Sequence, residues 1–177
     1  MSRCGERVAE RDHIDRFLDR FGERLPEMDL VVEGIVERIG GLNRRLHREM
    51  DDTLEDFGLN SGEWKVLGAL WRRGEPHRVS PGELAKVEEL STGAMTNRLD
   101  RLEKAGHVRR LPDPEDRRAL KVELTAKGKR TWEKAILAQA KKEAVFASAL
   151  SDKEKQQLTT LLRKLMLGYE KREQPKA

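Results

Sequence analysis

Thr92, Gly93, Thr96, Asn97, Arg98 and Arg101 fall within three turns of what the pattern predicts to be a helix, interleaved with Met95, Leu99 and Leu102 at spacings of four and three. On a helix that spacing gathers the apolar side chains into one stripe and leaves the hydroxyl, amide and guanidinium groups on the other faces. Asparagine can bridge N6 and N7 of adenine, and threonine can donate to a base acceptor or touch a thymine methyl. Glycine at position 93 lets backbone come close, and Ser91 stands just before the helix. This is the chemistry of reading base edges and phosphates, with Thr92, Thr96 and Asn97 as the readers, since the first turns of a recognition helix point into the major groove. Arg98 has three open roles: a phosphate clamp, a ligand contact, or an ion pair with Asp100, Asp113 or Asp116.

Immediately downstream, Gly106 ends the helical pattern and a period of two takes over, with Leu120, Val122 and Leu124 alternating with Ala119, Lys121 and Glu123. Between the two expected strands, Pro112, Asp113, Pro114, Glu115 and Asp116 form a turn that delivers Arg117 and Arg118 near its tip. One of these arginines, set in a minor groove, would read its width and negative potential, with the other held by Asp113 or Asp116. A hairpin of solvated charges is the plainer alternative.

The elements that must carry these groups are legible on either side. Ser80, Pro81 and Glu83 make a capping box with proline at the first helical position, opening a short helix through Leu84 and Val87 that ends near Leu90. The next helix begins at Ser91 or Thr92, so the two meet at a steep angle as a helix-turn-helix. Before it, Ser61 is expected to cap a helix carrying Trp64, Val66, Leu67, Leu70 and Trp71. Residues 1–9 read as a tail and residues 10–29 as an extension whose helix runs from about Glu10 to Leu25. A long helix follows from about Leu30 to Phe57, with Gly40 and Gly41 as a weak point or a close-packing site. Beyond the hairpin, Thr125 caps one helix, Ser151 and Glu154 open another through Leu158, Leu161, Leu162, Leu165 and Met166, and residues 169–177 form the C-terminal tail. The apolar stripes on residues 30–57 and 126–168 lie outside the winged unit of residues 61–124, and pairing with partner helices explains them best. The fold class is mainly α with a small β-hairpin wing.

Composition sets bounds on this reading. The 177 residues suit one domain with extensions; 38% are charged and 37% apolar, a balance fitting long amphipathic helices that complete their burial by association. A net charge of +4 is mild, so DNA affinity must come from where the cations lie, and Arg98, Arg101, Lys104, Arg109, Arg110, Arg117, Arg118 and Lys121 crowd the proposed helix and wing. The single cysteine, Cys4, excludes an intrachain disulfide and suits a reducing compartment; with no long apolar run and no signal sequence, the expected location is cytoplasmic. An enzyme is poorly supported, since no phosphate loop, histidine pair at ligand spacing or nucleophile with a base is evident. No catalytic residue, cofactor or resident metal is expected. The rival is a helical homodimeric interaction or metal-binding module, with His47 beside Glu49, Asp51 and Asp52 as its one metal-like cluster.

Ser80-Pro-Gly-Glu-Leu-Ala85, Thr92-Gly-Ala-Met-Thr-Asn-Arg98, Leu102-Glu-Lys-Ala-Gly106, Asp113-Pro-Glu-Asp-Arg-Arg118 and Leu124-Thr-Ala-Lys-Gly128 together resemble the MarR family of bacterial transcription regulators, over about residues 30–168. The resemblance implies a homodimer intertwined through its N- and C-terminal helices, with two winged lobes on a pseudo-palindromic operator in double-stranded DNA. In many members a small molecule relieves repression. The N-terminal extension and Thr96-Asn-Arg98 look more like the urate-responsive branch, which surrounds its ligand with a tryptophan, an aspartate and two arginines. Arg98 and Arg110 match the arginines, whereas Lys65 stands at the acidic position and Phe21 at the tryptophan. The expected effector is a small aromatic or carboxylate molecule, and the exchange of an acid for a lysine favours one with more negative charge than urate, such as a di- or tricarboxylate.

Overall fold

The computed structural model describes residues 10–113, 116 and 119–173, so the expectations placed on Cys4, Arg117 and Arg118 lie outside the described residues. The chain divides into two compact units, residues 1–50 and 51–177. In the first, helix α1 (His13–Arg24) precedes helix α2 (Leu30–Glu55), whose last turn belongs to the second. α1 starts three residues later than the apolar pattern implied because Asp12 takes the cap: its carboxylate accepts from the backbone N–H groups of Ile14 at 2.8 Å and Asp15 at 3.0 Å, while Asp15 reaches back to the Asp12 N–H. Arg38 of α2 then holds Asp12 at 3.0 Å and Asp15 at 2.6 Å. The hydrogen bond from the Asp15 amide, aided by Arg38 and Ile14 against the cost of burial, holds the Asp12 carboxyl down at about 2. α2 runs unbroken through Gly40 and Gly41, the expected weak point, and leaves Val31, Val32, Ile35, Val36 and Ile39 exposed.

The second unit holds α3 (Ser61–Arg72), β1 (Arg78–Val79), α4 (Pro81–Val87), α5 (Thr92–Lys104), β2 (Val108–Pro112), β3 (Leu120–Leu124), α6 (Ala126–Phe146) and α7 (Asp152–Glu173). The winged unit closes on Leu67, Leu70, Leu84, Met95, Leu99 and Val122, each at most 1% exposed. α3 is capped by Asn60 and not by Ser61: Asn60 Oδ1 accepts from the Glu63 amide at 2.9 Å, and Glu63 Oε2 accepts from the Asn60 amide at 3.1 Å. Both N-x-x-E and S-x-x-x readings fit the local pattern, and the one that satisfies two amides reciprocally wins. Thr125 caps α6, its hydroxyl oxygen accepting from the Gly128 amide at 3.0 Å, as its position before the apolar pattern predicted.

The wing is a three-stranded antiparallel sheet in the order β1-β3-β2, where the sequence showed a two-stranded hairpin. Two residues, Arg78 and Val79, are too short a run to show a period. The alternation on β3 is also reset: Leu120 is 48% exposed, while Glu123 is only 7% exposed. Glu123 tolerates that burial because Arg78 on one neighbouring strand and Arg109 on the other both donate to it, with Nε at 2.7 Å and 2.8 Å.

Candidate nucleic-acid interface

The capping box read at Ser80 and Glu83 is present, and α4 buries Leu84 and Ala85. The chain leaves α4 through Glu88 and a left-handed Glu89 with φ of 51°, where Leu90 donates its N–H to the Ala85 carbonyl at 2.8 Å. Ser91 at once caps α5, accepting from the Ala94 amide at 3.3 Å. Leu84 of α4 and Met95 and Leu99 of α5 are buried, so the two helices form one rigid corner. At its far end α5 stops at Gly106, φ 74°, the left-handed conformation that glycine adopts without a Cβ clash, with His107 donating to Leu102 O at 2.8 Å.

With Met95, Leu99 and Leu102 turned inward, the opposite edge of α5 presents Ser91, Thr92, Gly93, Thr96 and Asn97, all exposed. A Cβ on Gly93 would meet nothing within 4 Å, so no contact inside the chain calls for glycine there. Thr96 Oγ1 donates to the Thr92 carbonyl at 2.9 Å, which points its proton into the helix and leaves its lone pairs and methyl outward.

The cations are distributed differently from the sequence expectation. Arg101 Nε lies 2.7 Å from Glu63, Arg109 holds Glu123, and Lys121 lies 3.2 Å from Asp113. Arg110 donates through Nη1 to Glu103 at 2.7 Å and through Nη2 to Asp100 at 2.6 Å. Asp100 is therefore taken by Arg110 and not by Arg98. Arg98 forms no ion pair among the described residues; its guanidinium lies flat against α3, with Cζ 2.6 Å from where a Cβ on Gly62 would stand. Lys104 is exposed on the last turn of α5, whose terminal carbonyl at Ala105 accepts from Lys127 at 2.6 Å. Among the described residues, Arg101, Arg109, Arg110 and Lys121 of this basic cluster are thus in internal ion pairs, with carboxylates on the same lobe.

Of the four positions that the resemblance assigned to a ligand, Lys65 is exposed on α3 one turn beyond Gly62, and Arg98 lies against that same helix. Arg110 is occupied by its two carboxylates. Phe21 belongs to the first unit, where its ring centroid lies 4.5 Å from that of Phe17. Gly62, Glu63 and Arg78 were missed by sequence reasoning; the Asn60-x-x-Glu63 spacing was the available signal for Glu63. Among the described residues no group of three His, Cys, Asp or Glu could hold a metal ion, which removes the cluster at His47. On α2 Asp51 shares a face with His47 while Glu49 projects from the other side, and the His47 ring contacts its own helix at the Asn43 carbonyl. Among the described residues no helix is long and apolar enough to cross a membrane.

Comparison with known proteins agrees with this architecture. The model of the MarR family matches residues 59–120, which run from the residue before the α3 cap to the start of β3. The HTH-type transcriptional regulator PecS of Dickeya dadantii is 29% identical over 149 residues, 84% of this chain and 90% of the relative. The HTH-type transcriptional repressor YetL of Bacillus subtilis is 31% identical over 121 residues, 68% of this chain and 72% of its own length. A solved structure of a mutant MarR from E. coli complexed with operator DNA superposes with a TM-score of 0.60 at 29% identity, covering 82% of this chain and 96% of that one. Both of these curated relatives are named as HTH-type transcription regulators. With the capped helix-turn-helix, the three-stranded wing and a relative of this identity and coverage in agreement, the chain belongs to the MarR family.

Proposed function

We propose that the protein is a sequence-specific transcription regulator that inserts α5 into the major groove of an operator, with Thr92, Thr96 and Asn97 reading base edges. The observation that carries this is the two-sided character of α5: Met95, Leu99 and Leu102 are buried in the winged unit, and the opposite edge is an exposed row of hydroxyl, amide and bare backbone whose hydrogen bonds, among the described residues, stay within its own helix and cap. Ser91 and Gly93 bring backbone N–H groups at the helix N-terminus toward phosphate. Arg117 and Arg118 are the wing contacts expected from sequence, and replacing both with alanine should weaken binding across sequences and flatten its salt dependence.

Homodimerisation supplies the second half-site. Leu161 is 60% exposed, Leu165 48% and Met166 59%, an apolar stripe on α7 that a lone chain leaves in water. In a twofold dimer the two copies of α5 would meet half-sites roughly one helical turn, about 34 Å, apart. Release of a repressed operator by a small anionic effector fits Lys65 and Arg98 as two cations on neighbouring faces of α3 and α5. Because Arg110 already carries two carboxylates, a mono- or dicarboxylate matches the remaining charge better than a tricarboxylate. Placement in the urate-responsive branch is supported by the N-terminal helix and by Arg98 and Arg110, and opposed by Lys65 and Phe21.

The test is fluorescence anisotropy of the full chain on DNA from upstream of its own gene against a shuffled duplex, over a salt series. A salt-sensitive preference for the former of about 10³-fold or more, in a twofold-symmetric complex, is expected; equal binding to both removes the reading. Calorimetry with urate, citrate and smaller carboxylates then decides the effector class, and no heat from any of them at millimolar concentration removes the anion proposal.

A further inference from the structure

Apolar packing sets how closely α5 approaches its neighbours, but it is non-directional and leaves the rotation of the helix about its own axis loosely specified. A helix that reads bases needs that rotation fixed, since a few degrees decide which side chains face the groove. Two adjacent residues at the start of α3 supply that constraint, Glu63 by a directional hydrogen bond and Gly62 by a close steric seat. The Arg98 guanidinium rests on the bare backbone of Gly62, with Nε and Nη1 each 2.9 Å from where a Cβ would stand. One turn further along α5, Arg101 Nε donates to Glu63 Oε1 at 2.7 Å. The carboxylate of Glu63 is set in advance by its own helix, because its second oxygen accepts from the Asn60 amide at 3.1 Å, and Glu63 is only 7% exposed.

We infer that Gly62 and Glu63 form a dock that fixes the orientation of α5 through Arg98 and Arg101, and that Arg101 is a positioning residue and not a phosphate contact. The inference rests on the operator-reading role proposed above. Two attachments one turn apart on α5, received by consecutive residues of α3, constrain both the tilt and the roll of the reading helix. Charge alone would have assigned both arginines to DNA. A Cβ at position 62 would push the Arg98 guanidinium away, and loss of charge at position 63 would free Arg101 while leaving every group on the reading edge in place.

The experiment compares wild type with Gly62→Ala, Glu63→Gln, Arg101→Ala and the Glu63→Gln/Arg101→Ala double variant as full-length proteins. Each is measured on the preferred duplex and on a shuffled one over a salt series. Glu63→Gln and Gly62→Ala should each weaken specific binding roughly tenfold or more, the loss of about one good base contact, with non-specific binding and the salt slope unchanged. The double variant should bind no worse than the weaker single variant, since both break the same contact. Specific binding by Glu63→Gln equal to or tighter than wild type, or a salt slope reduced by about one in Arg101→Ala, identifies Arg101 as a phosphate contact and overturns the dock. A readout without DNA separates failure of the dock from failure of the operator reading. The Arg101 Nε–H resonance should be protected from exchange in wild type and lose that protection in Glu63→Gln, and an unprotected resonance in wild type overturns the dock whatever the protein binds. Where Gly62→Ala fails to fold, Glu63→Gln carries the test alone, with thermal unfolding as the check on its integrity.

Discussion

The indole edge of Trp132 on α6 lies where Gly68 of α3 has no side chain, with Nε1 2.9 Å and Cε2 3.4 Å from the position of a missing Cβ. The Trp132 ring stacks on Trp71 at 4.7 Å and faces Trp64 at 6.1 Å between centroids, so the chain's three tryptophans form one cluster. Glycine at 68 is what lets α6 close on α3. Gly68→Ala should destabilise the second unit by about 1 to 3 kcal/mol, because the indole is packed on its other face and has little room to retreat. Urea unfolding followed by tryptophan fluorescence reads this directly, and a variant as stable as wild type would show that the helices slide apart at no cost.

Among the described residues Asn97 has no side-chain hydrogen-bond partner, and it stands exposed on the reading edge of α5, so its removal should leave stability intact and cost base recognition. Asn97→Ala is expected to lose about 1 to 3 kcal/mol on the preferred duplex and to relax discrimination at one base pair per half-site. Anisotropy against single-substitution duplexes measures both. Uniform weakening on all of them, with a smaller salt slope, would move Asn97 to the phosphates.

Burial pushes the Glu123 carboxyl up, yet the hydrogen bonds from Arg78 and Arg109 outweigh it and hold the group below its ordinary value of 4.5. A carboxyl whose pKa is lower in the folded than in the unfolded chain contributes stability in full above 4.5 and loses it as pH falls through the folded value. Wild type should therefore lose stability on acidification in that window, and Glu123→Gln should be less stable at neutral pH with a flatter acid limb. Thermal unfolding over a pH series checks it; parallel curves for the two proteins would show that the Arg78 and Arg109 pairs contribute nothing to the wing.

Leu161 and Leu165 are exposed on one stripe of α7, and glutamate at both would place four charges in a twofold interface. Burial of each leucine is worth about 1.5 to 3 kcal/mol, so the double variant should be monomeric at micromolar concentration and lose operator binding by far more than tenfold. Light scattering on a sizing column gives the mass. A dimer of unchanged affinity would assign the interface to the exposed stripes of α2 and α6 instead.

The parts of this protein that were legible from its residues are those set by neighbours a few positions away. The Ser80 capping box, the stop at Gly106, the Thr125 cap and the inward stripe of Met95, Leu99 and Leu102 each depend on backbone amides or helical periodicity within one or two turns, and all are present where the spacing placed them. The burial of Glu123, the third strand at Arg78 and Val79, and the seat of Arg101 on Glu63 were illegible for one shared reason. Arg78 lies 45 positions from Glu123, Val79 lies 43 from Val122 and Glu63 lies 38 from Arg101, and contacts at such separations carry no period. Local patterning determined that this chain carries a reading helix and a wing. Only folding decided which of its arginines remain free for another molecule, because an arginine beside a buried carboxylate is held there by the cost of leaving that carboxylate unpaired.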